Sequence, residues 1–319
     1  MNKVSLIIPT FNRPHLLPRA VESARHAGSD VEVIVVDDAS SDATAGVCAA
    51  LRDIKYLRLD HNQGVAGARN VGLLESSGDF IAFLDDDDLR LPGSLDYQVS
   101  LLAAQPGAGF VAGGVMLADQ NCVPNGEVAI PRGKSGDLFW RVLELDLHLI
   151  PGSIVMRKEC FYEVGIFNRR LAGIDDWDMW TRVAEVRPVL VDPTPVCVYR
   201  VATPGSRQGS SALGRHMYAA VKHQTRLFSL PRAQDAPSTQ RRAVRRRTRR
   251  RVADTLSWRA AEELPHGAFR FAASNFLMAL RLSPFWAARP THLRVLCRSA
   301  LRQLARFKDR RASTPAPVK

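Results

Sequence analysis

Cysteine is scarce in this chain, and what there is lacks pattern. Five cysteines (Cys48, Cys122, Cys160, Cys197, Cys297) stand far apart in 319 residues, with no CxxC pair and no histidine at zinc-ligand spacing. An odd, scattered set in a long chain argues against a disulfide framework and for a reducing compartment. Long apolar runs are also missing. A membrane-spanning helix needs about 18 uncharged apolar residues, and the best stretch, Phe271 to Leu280, is about half that and flanked by Arg270 and Arg281. The apolar run Val4 to Ile8 stops at Pro9, too short for the core of a signal peptide. A cytoplasmic protein is therefore expected, with peripheral attachment to the inner face of the cell membrane left open.

Acidic residues are missing from one end only. Residues 241–319 hold 20 Lys and Arg against 4 Asp and Glu, a balance of +16, whereas residues 1–240 carry −4 within an overall net charge of +12. This asymmetry predicts a boundary near residue 230, separating a domain over 1–230 from a basic helical extension over 231–319.

The first ninety residues alternate strand and helix signals. Val4 to Ile8, Val31 to Val36, Tyr56 to Leu59 and Phe80 to Leu84 read as short buried strands. His15 to Ala27, Thr44 to Leu51 and Ala66 to Glu75 read as the helices between them. Such a pattern predicts an α/β fold with a mainly parallel central sheet flanked by helices. Beyond residue 93 the spacing predicts helices over Leu95 to Gln105, Phe161 to Val164 and Trp177 to Val186. Strands are predicted over Gly109 to Leu117, Ser153 to Met156, Val189 to Val191 and Val196 to Tyr199. Ligands of such sheets gather beyond the carboxyl ends of the strands, where Thr10 and Asn12, Asp37 and Asp38, and Asp85 to Asp88 all fall.

Four adjacent carboxylates, Asp85 to Asp88, repel one another unless a cation neutralises them, and Mg²⁺ or Mn²⁺ suits oxygen ligands; a solvated acidic turn or helix cap is the competing account. Asp37-Asp38 suits either hydrogen bonds to a nucleoside or an Asx-turn. The run Asn62 to Asn70, NQGVAGARN, joins glycines to a helix start, which favours an anion or close helix–sheet packing. Asp175 and Asp176 in IDDWDMW open a helix; they serve either its dipole or as general base to an acceptor hydroxyl.

Taken in order, SLIIPTFNR, VIVVDDASSD, NQGVAGARNVGL, GDFIAFLDDDDL, GSIVMRKECFYEVGIFN and IDDWDMW resemble the family 2 glycosyltransferases, over roughly residues 3–200. The resemblance implies an A-type, Rossmann-like fold that binds a nucleotide-diphosphate sugar, with UDP the expected nucleotide, and transfers the sugar to an acceptor hydroxyl with inversion. It implies that Asp38 contacts the base, that Asp86 holds the ribose, that Asp87 holds the metal with Asp85 completing DxD, and that Asp176 is the catalytic base. Pro9, Thr10, Asn12, Gly67, Arg69 and Asn70 join the expected donor contacts, and Asp175 (usually Glu) and Trp177 are acceptor-side candidates. Two features depart from the family pattern: Tyr199-Arg200-Val201 is followed by Ala202 where His is common, and the QxxRW signature of processive synthases is absent.

The family setting implies bacterial-type cell-surface polysaccharide or glycolipid assembly, with a sugar or lipid-linked acceptor. The basic run Arg241 to Arg251 lacks interleaved aromatics, which disfavours nucleic acid; a solvated helix face is its bland account. Leu293, Leu296, Cys297, Ala300, Leu301, Leu304 and Phe307 form an apolar stripe among basic residues, suited to an anionic membrane surface or to packing on the catalytic domain. Two alternatives stay in view. One is a non-catalytic protein of the same fold whose basic tail binds membrane or nucleic acid. The other, a nucleotidyltransferase, is disfavoured because its Gly-rich N-terminal loop is missing.

Overall fold

The structure is a computed structural model that describes residues 3–147, 149–201, 213–264, 268–287 and 289–291. Its contacts divide into two compact units, 1–202 and 203–319. The packing boundary and the charge boundary near 230 are thus different places.

In the first unit the strands are β1 (Val4–Thr10), β2 (Val31–Asp37), β3 (Lys55–Arg58), β4 (Phe80–Phe83), β5 (Leu89–Arg90), β6 (Phe110–Ala118), β7 (Pro124–Ala129), β8 (Ile154–Arg157) and β9 (Val189–Arg200). The helices are α1 (Leu17–Arg25), α2 (Thr44–Ala50), α3 (Gly64–Leu74), α4 (Ser94–Ala104), α5 (Phe139–Leu143), α6 (Glu159–Val164) and α7 (Asp175–Val186). One sheet runs β3-β2-β1-β4-β8-β6-β9-β5, with β7 paired to β6. The half built from β1 to β4 is parallel, as the alternation predicts. Beyond it the sheet is mixed: β8 runs antiparallel to both β4 and β6, while β9 runs parallel to β6. The A-type α/β architecture holds, with its second half more antiparallel than the βαβ pattern of the first ninety residues suggests.

Burial accounts for the parallel half. All seven β1 residues are buried, and Leu6, Ile8, Val33, Val35, Ala82 and Leu84 pack with Leu17, Val21 and Ala24 of α1. On α3 a methyl group at Gly72 would lie 2.5 Å from Ile7 Cγ2, so this glycine serves close helix–sheet packing. The two late strands predicted around Pro193 and Pro195 are one strand, β9. Its pairing with β6 shifts register between Ala112 and Val115, and such bulges accommodate prolines that cannot donate to the ladder. β7, which is almost wholly exposed, and the two-residue β5 carry no apolar alternation, so sequence periodicity does not reveal them.

The second unit is helical where described: α8 (Leu213–Leu227), α9 (Pro231–Asp235), α10 (Ser238–Glu263), α11 (Phe269–Leu282) and α12 (Pro284–Ala287). α10 carries the whole arginine run. Val244, Thr248, Val252 and Leu256 recur every four residues on its buried side, and Arg242, Arg246 and Arg249 are exposed. α10 packs against α8 and α11. The Thr203 to Ser211 patch and the Leu293 to Phe307 stripe lie outside the described residues. No described helix is long and apolar enough to cross a membrane, and the four described cysteines are buried and free.

Candidate active site

The carboxyl ends of β1, β2 and β4 meet through backbone and side-chain hydrogen bonds. Thr10 Oγ1 donates to Asp86 Oδ2 at 2.7 Å, and the Asp38 amide donates to Thr10 O at 2.9 Å. Asn12 takes a left-handed φ of 53°, with its amide donating to Ser40 Oγ and its Oδ1 accepting from the Ser41 amide. Ala39 is left-handed as well, at φ 61°. Alanine tolerates that conformation poorly, and strain of this kind collects at ligand sites. Pro9 lies within β1, buried and in register with Val36.

Asp38 caps the start of α3. Its two carboxylate oxygens accept from the amides of Gln63, at 2.6 Å, and Gly64, at 2.9 Å. Burial raises its carboxyl despite those two donors. Asp37 is spent on structure, accepting from the Ser40 amide and from Tyr56 Oη.

The four-aspartate run forms a turn closed by the Asp88 amide donating to Asp85 O at 3.0 Å. Three arginines answer its charge. Arg13 Nη1 reaches Asp86 Oδ1 at 2.9 Å and Asp87 Oδ2 at 3.0 Å. Arg200 Nη2 reaches the same Asp87 Oδ2 at 2.8 Å, and the Arg200 amide donates to Asp88 Oδ1. Arg69 Nη2 reaches Asp85 Oδ1 at 2.8 Å. Burial pushes the Asp86 carboxyl up to about 6, against the pull of Arg13, and raises Asp88 as well, aided by Asp85 and Asp87.

Arg69 joins two parts of the site. Its Nη1 reaches Asp175 Oδ2 at 3.1 Å while its Nη2 holds Asp85, so one buried guanidinium spans the end of β4 and the start of α7. Phe83 and Phe167 flank it, each with its ring centroid 5.8 Å from Cζ. Asn70 makes a reciprocal pair with Phe167, donating to its carbonyl and accepting from its amide, both at 2.9 Å. That pair fixes the loop leading to α7. Gly67 lies on α3, where a Cβ would meet Gln63 Cβ at 2.5 Å.

Asp175 is buried, and Asp176 beside it is half-buried. Burial, then the adjacent charge of Asp175, raises the Asp176 carboxyl to about 7. A carboxylate poised near neutrality suits a general base. Trp177 is buried, and its Nε1 donates to Val142 O at 2.7 Å, so its indole anchors α7 to α5. A cavity of about 460 Å³ lies between residues 61–63 and 166–170. Of the expected donor contacts it includes Asn70 alone, and none of the carboxylates lines it.

A divalent cation fits this donor set in one respect and needs help in another. Asp87 Oδ1 and Asp88 Oδ2 are buried acceptors without a hydrogen-bond partner, as a hard cation requires. Among the described residues, however, no three His, Cys, Asp or Glu side chains converge to hold an ion. Mg²⁺ commonly takes only one or two carboxylates and completes its shell with substrate phosphates and water.

Sequence reasoning missed Arg13 and Arg200 as members of the site. Both stand in motifs already visible, FNR after β1 and Tyr199-Arg200 at the end of β9, but nothing in their spacing says that they meet at Asp87.

Comparison with known proteins bears on the family and the fold. The sequence model described as glycosyl transferase family 2 matches residues 5–165. The chain is 46% identical over 101 residues to a GalNAc(5)-diNAcBac-PP-undecaprenol beta-1,3-glucosyltransferase of Campylobacter jejuni, covering 30% of this chain and 33% of that one. It is 34% identical over 123 residues to the UDP-Glc:alpha-D-GlcNAc-diphosphoundecaprenol beta-1,3-glucosyltransferase WfgD of Escherichia coli, covering 38% and 48% respectively. The chain thus spans about a third to a half of the length of these curated relatives. Among solved structures it resembles a mannosyltransferase from Pyrobaculum calidifontis, with a TM-score of 0.55, 17% identity, and 95% and 87% of the two chains covered. That last likeness is one of fold.

Proposed function

The chain belongs to glycosyl transferase family 2, and from that premise we propose that it moves a sugar from a UDP-linked donor onto the hydroxyl of a lipid-linked acceptor, with inversion. The observation that carries this reading is the Arg69 bridge, which ties the acidic end of β4 to the helix that presents Asp176. Donor-side and acceptor-side carboxylates thereby share one rigid link. The non-catalytic alternative has no need of that link, nor of a carboxyl tuned to about 7.

In this reading the Asp38 turn receives the nucleoside, with Thr10 and Asn12 shaping the pocket wall. Asp86 faces the ribose. Asp87 and Asp85 would hold Mg²⁺ or Mn²⁺, which when bound neutralises charge on the departing diphosphate. Asp176 accepts the proton of the acceptor hydroxyl as that oxygen attacks the anomeric carbon opposite the leaving group. Arg69 opposes the rise that burial imposes on the Asp175 carboxyl and holds it in place, and the Asn70–Phe167 pair holds the loop from which α7 starts. The relatives' printed names, both undecaprenol diphosphate glucosyltransferases, support a lipid-linked acceptor and UDP-glucose as the first donor to try.

The test is a thermal-shift screen of nucleoside-diphosphate sugars with and without Mn²⁺. A UDP-sugar should raise the melting temperature, and Mn²⁺ should enlarge the rise. Stabilisation by no nucleotide sugar under either condition would contradict the reading.

A further inference from the structure

The geometry points to Arg13 and Arg200 as a guanidinium guard on the cation site, holding Asp87 so that a divalent cation binds well only together with the nucleotide diphosphate. This rests on the donor-site reading above and adds an order of binding to it. Asp87 Oδ2 accepts from both arginines, at 3.0 and 2.8 Å, while Oδ1 of the same carboxylate is buried without a partner. Asp87 is 4% exposed and Asp88, whose Oδ2 is also unpartnered, is 1% exposed. The site thus keeps open acceptors, yet two positive charges already stand against it.

A free cation entering that site meets repulsion from both guanidiniums and finds too few protein ligands, because no three ligand side chains converge there among the described residues. A diphosphate changes both conditions. Its oxygens are better partners for guanidinium than a shared carboxylate oxygen is, since arginine matches phosphate with paired donors. They also supply the missing ligands. Both arginines are less enclosed than Arg69. Their side chains keep 22% and 12% of their accessible surface, against 4% for Arg69. Arg69 is the fixed strut of the site, and Arg13 and Arg200 are its adjustable charges.

The experiment measures Mn²⁺ binding to the full chain by titration calorimetry and by the electron paramagnetic resonance of free Mn²⁺, alone and with saturating UDP. The wild type should bind Mn²⁺ weakly alone and at least roughly tenfold more tightly with UDP, within the ~5–150-fold typical of coupled sites. By linkage, Mn²⁺ should tighten UDP by the same factor. The double variant Arg13→Gln/Arg200→Gln should bind Mn²⁺ alone more tightly than the wild type and show a smaller UDP increment. Arg200→Lys, which keeps the charge but not the paired donors, should bind Mn²⁺ alone about as weakly as the wild type and show a smaller UDP increment. Variants whose far-ultraviolet dichroism and melting match the wild type, yet whose Mn²⁺ affinity without UDP is unchanged, would overturn the guard. So would an unfolded double variant together with an Arg200→Lys protein that binds Mn²⁺ alone more tightly than the wild type. UDP that binds without altering Mn²⁺ affinity in the wild type would overturn the guard while leaving the donor site intact. Failure of UDP to bind any of these proteins would overturn both.

Discussion

At the scale of single residues, burying a guanidinium is costly unless its partners are well placed, and Arg69 meets two carboxylates within 3.1 Å. Removing one partner of a buried ion pair leaves the other stranded, at about 3–5 kcal/mol. Arg69→Met should therefore lose stability of that order in urea unfolding at neutral pH, with Arg69→Lys falling between it and the wild type. Burial raises the Asp175 carboxyl in the folded state, and Arg69 opposes that rise. Without the arginine the rise is larger, and a carboxyl whose folded pKa is raised penalises folding as pH increases past its ordinary range. The deficit of the Met variant should accordingly be larger at pH 8 than at pH 5. A Met variant as stable as the wild type at both values would remove the strut from the account. The carboxylates of this site are legible in the sequence because acids following buried strands stand out. The arginines answering them are not, because Arg13, Arg69 and Arg200 meet the aspartates from 16 to 113 residues away.

Elements show the same division. Apart from the two-residue β5, the strands and helices of residues 4–104 follow from apolar runs and helical spacing. α7 is visible from its aromatic face and its acidic first turn. β9 reads as two strands because the prolines hide a bulged ladder, and β7 escapes because an exposed edge strand needs no apolar alternation. Trp177, an acceptor-side candidate, also anchors α7 through the Val142 carbonyl that its indole reaches, a partner that periodicity does not identify. α10 allows the expectation of membrane attachment to be tested. Its Arg242, Arg246 and Arg249 share one exposed side, and each basic residue near an anionic membrane surface adds about 1 kcal/mol. Full-length protein should float with phosphatidylglycerol vesicles at low salt and release as salt rises, because exposed charges are screened over ~8 Å at physiological ionic strength. Changing these three arginines to Gln should weaken flotation. Saturable binding to nucleic acid with no flotation would reverse the assignment.

For the molecule as a whole, a parallel half-sheet carries Thr10, Asp38 and the Asp85 to Asp88 turn, and the mixed half carries α7 and Arg200 to them. Family membership, the fold and the carboxylates were all within reach of the sequence. The network binding them was not, since it exists only once distant segments converge. The central claim is that donor binding and transfer are separable functions, with Asp176 belonging to the second. The direct measurement compares donor affinity and transfer rate for the wild type and Asp176→Asn across pH 5.5 to 8.5 in saturating Mn²⁺. The wild-type rate should climb through about pH 7 as Asp176 loses its proton. The Asn variant should bind donor normally and transfer roughly 10²–10⁴-fold more slowly, without that rise. A variant that turns over like the wild type, or one that loses donor binding and folding together, would contradict the account.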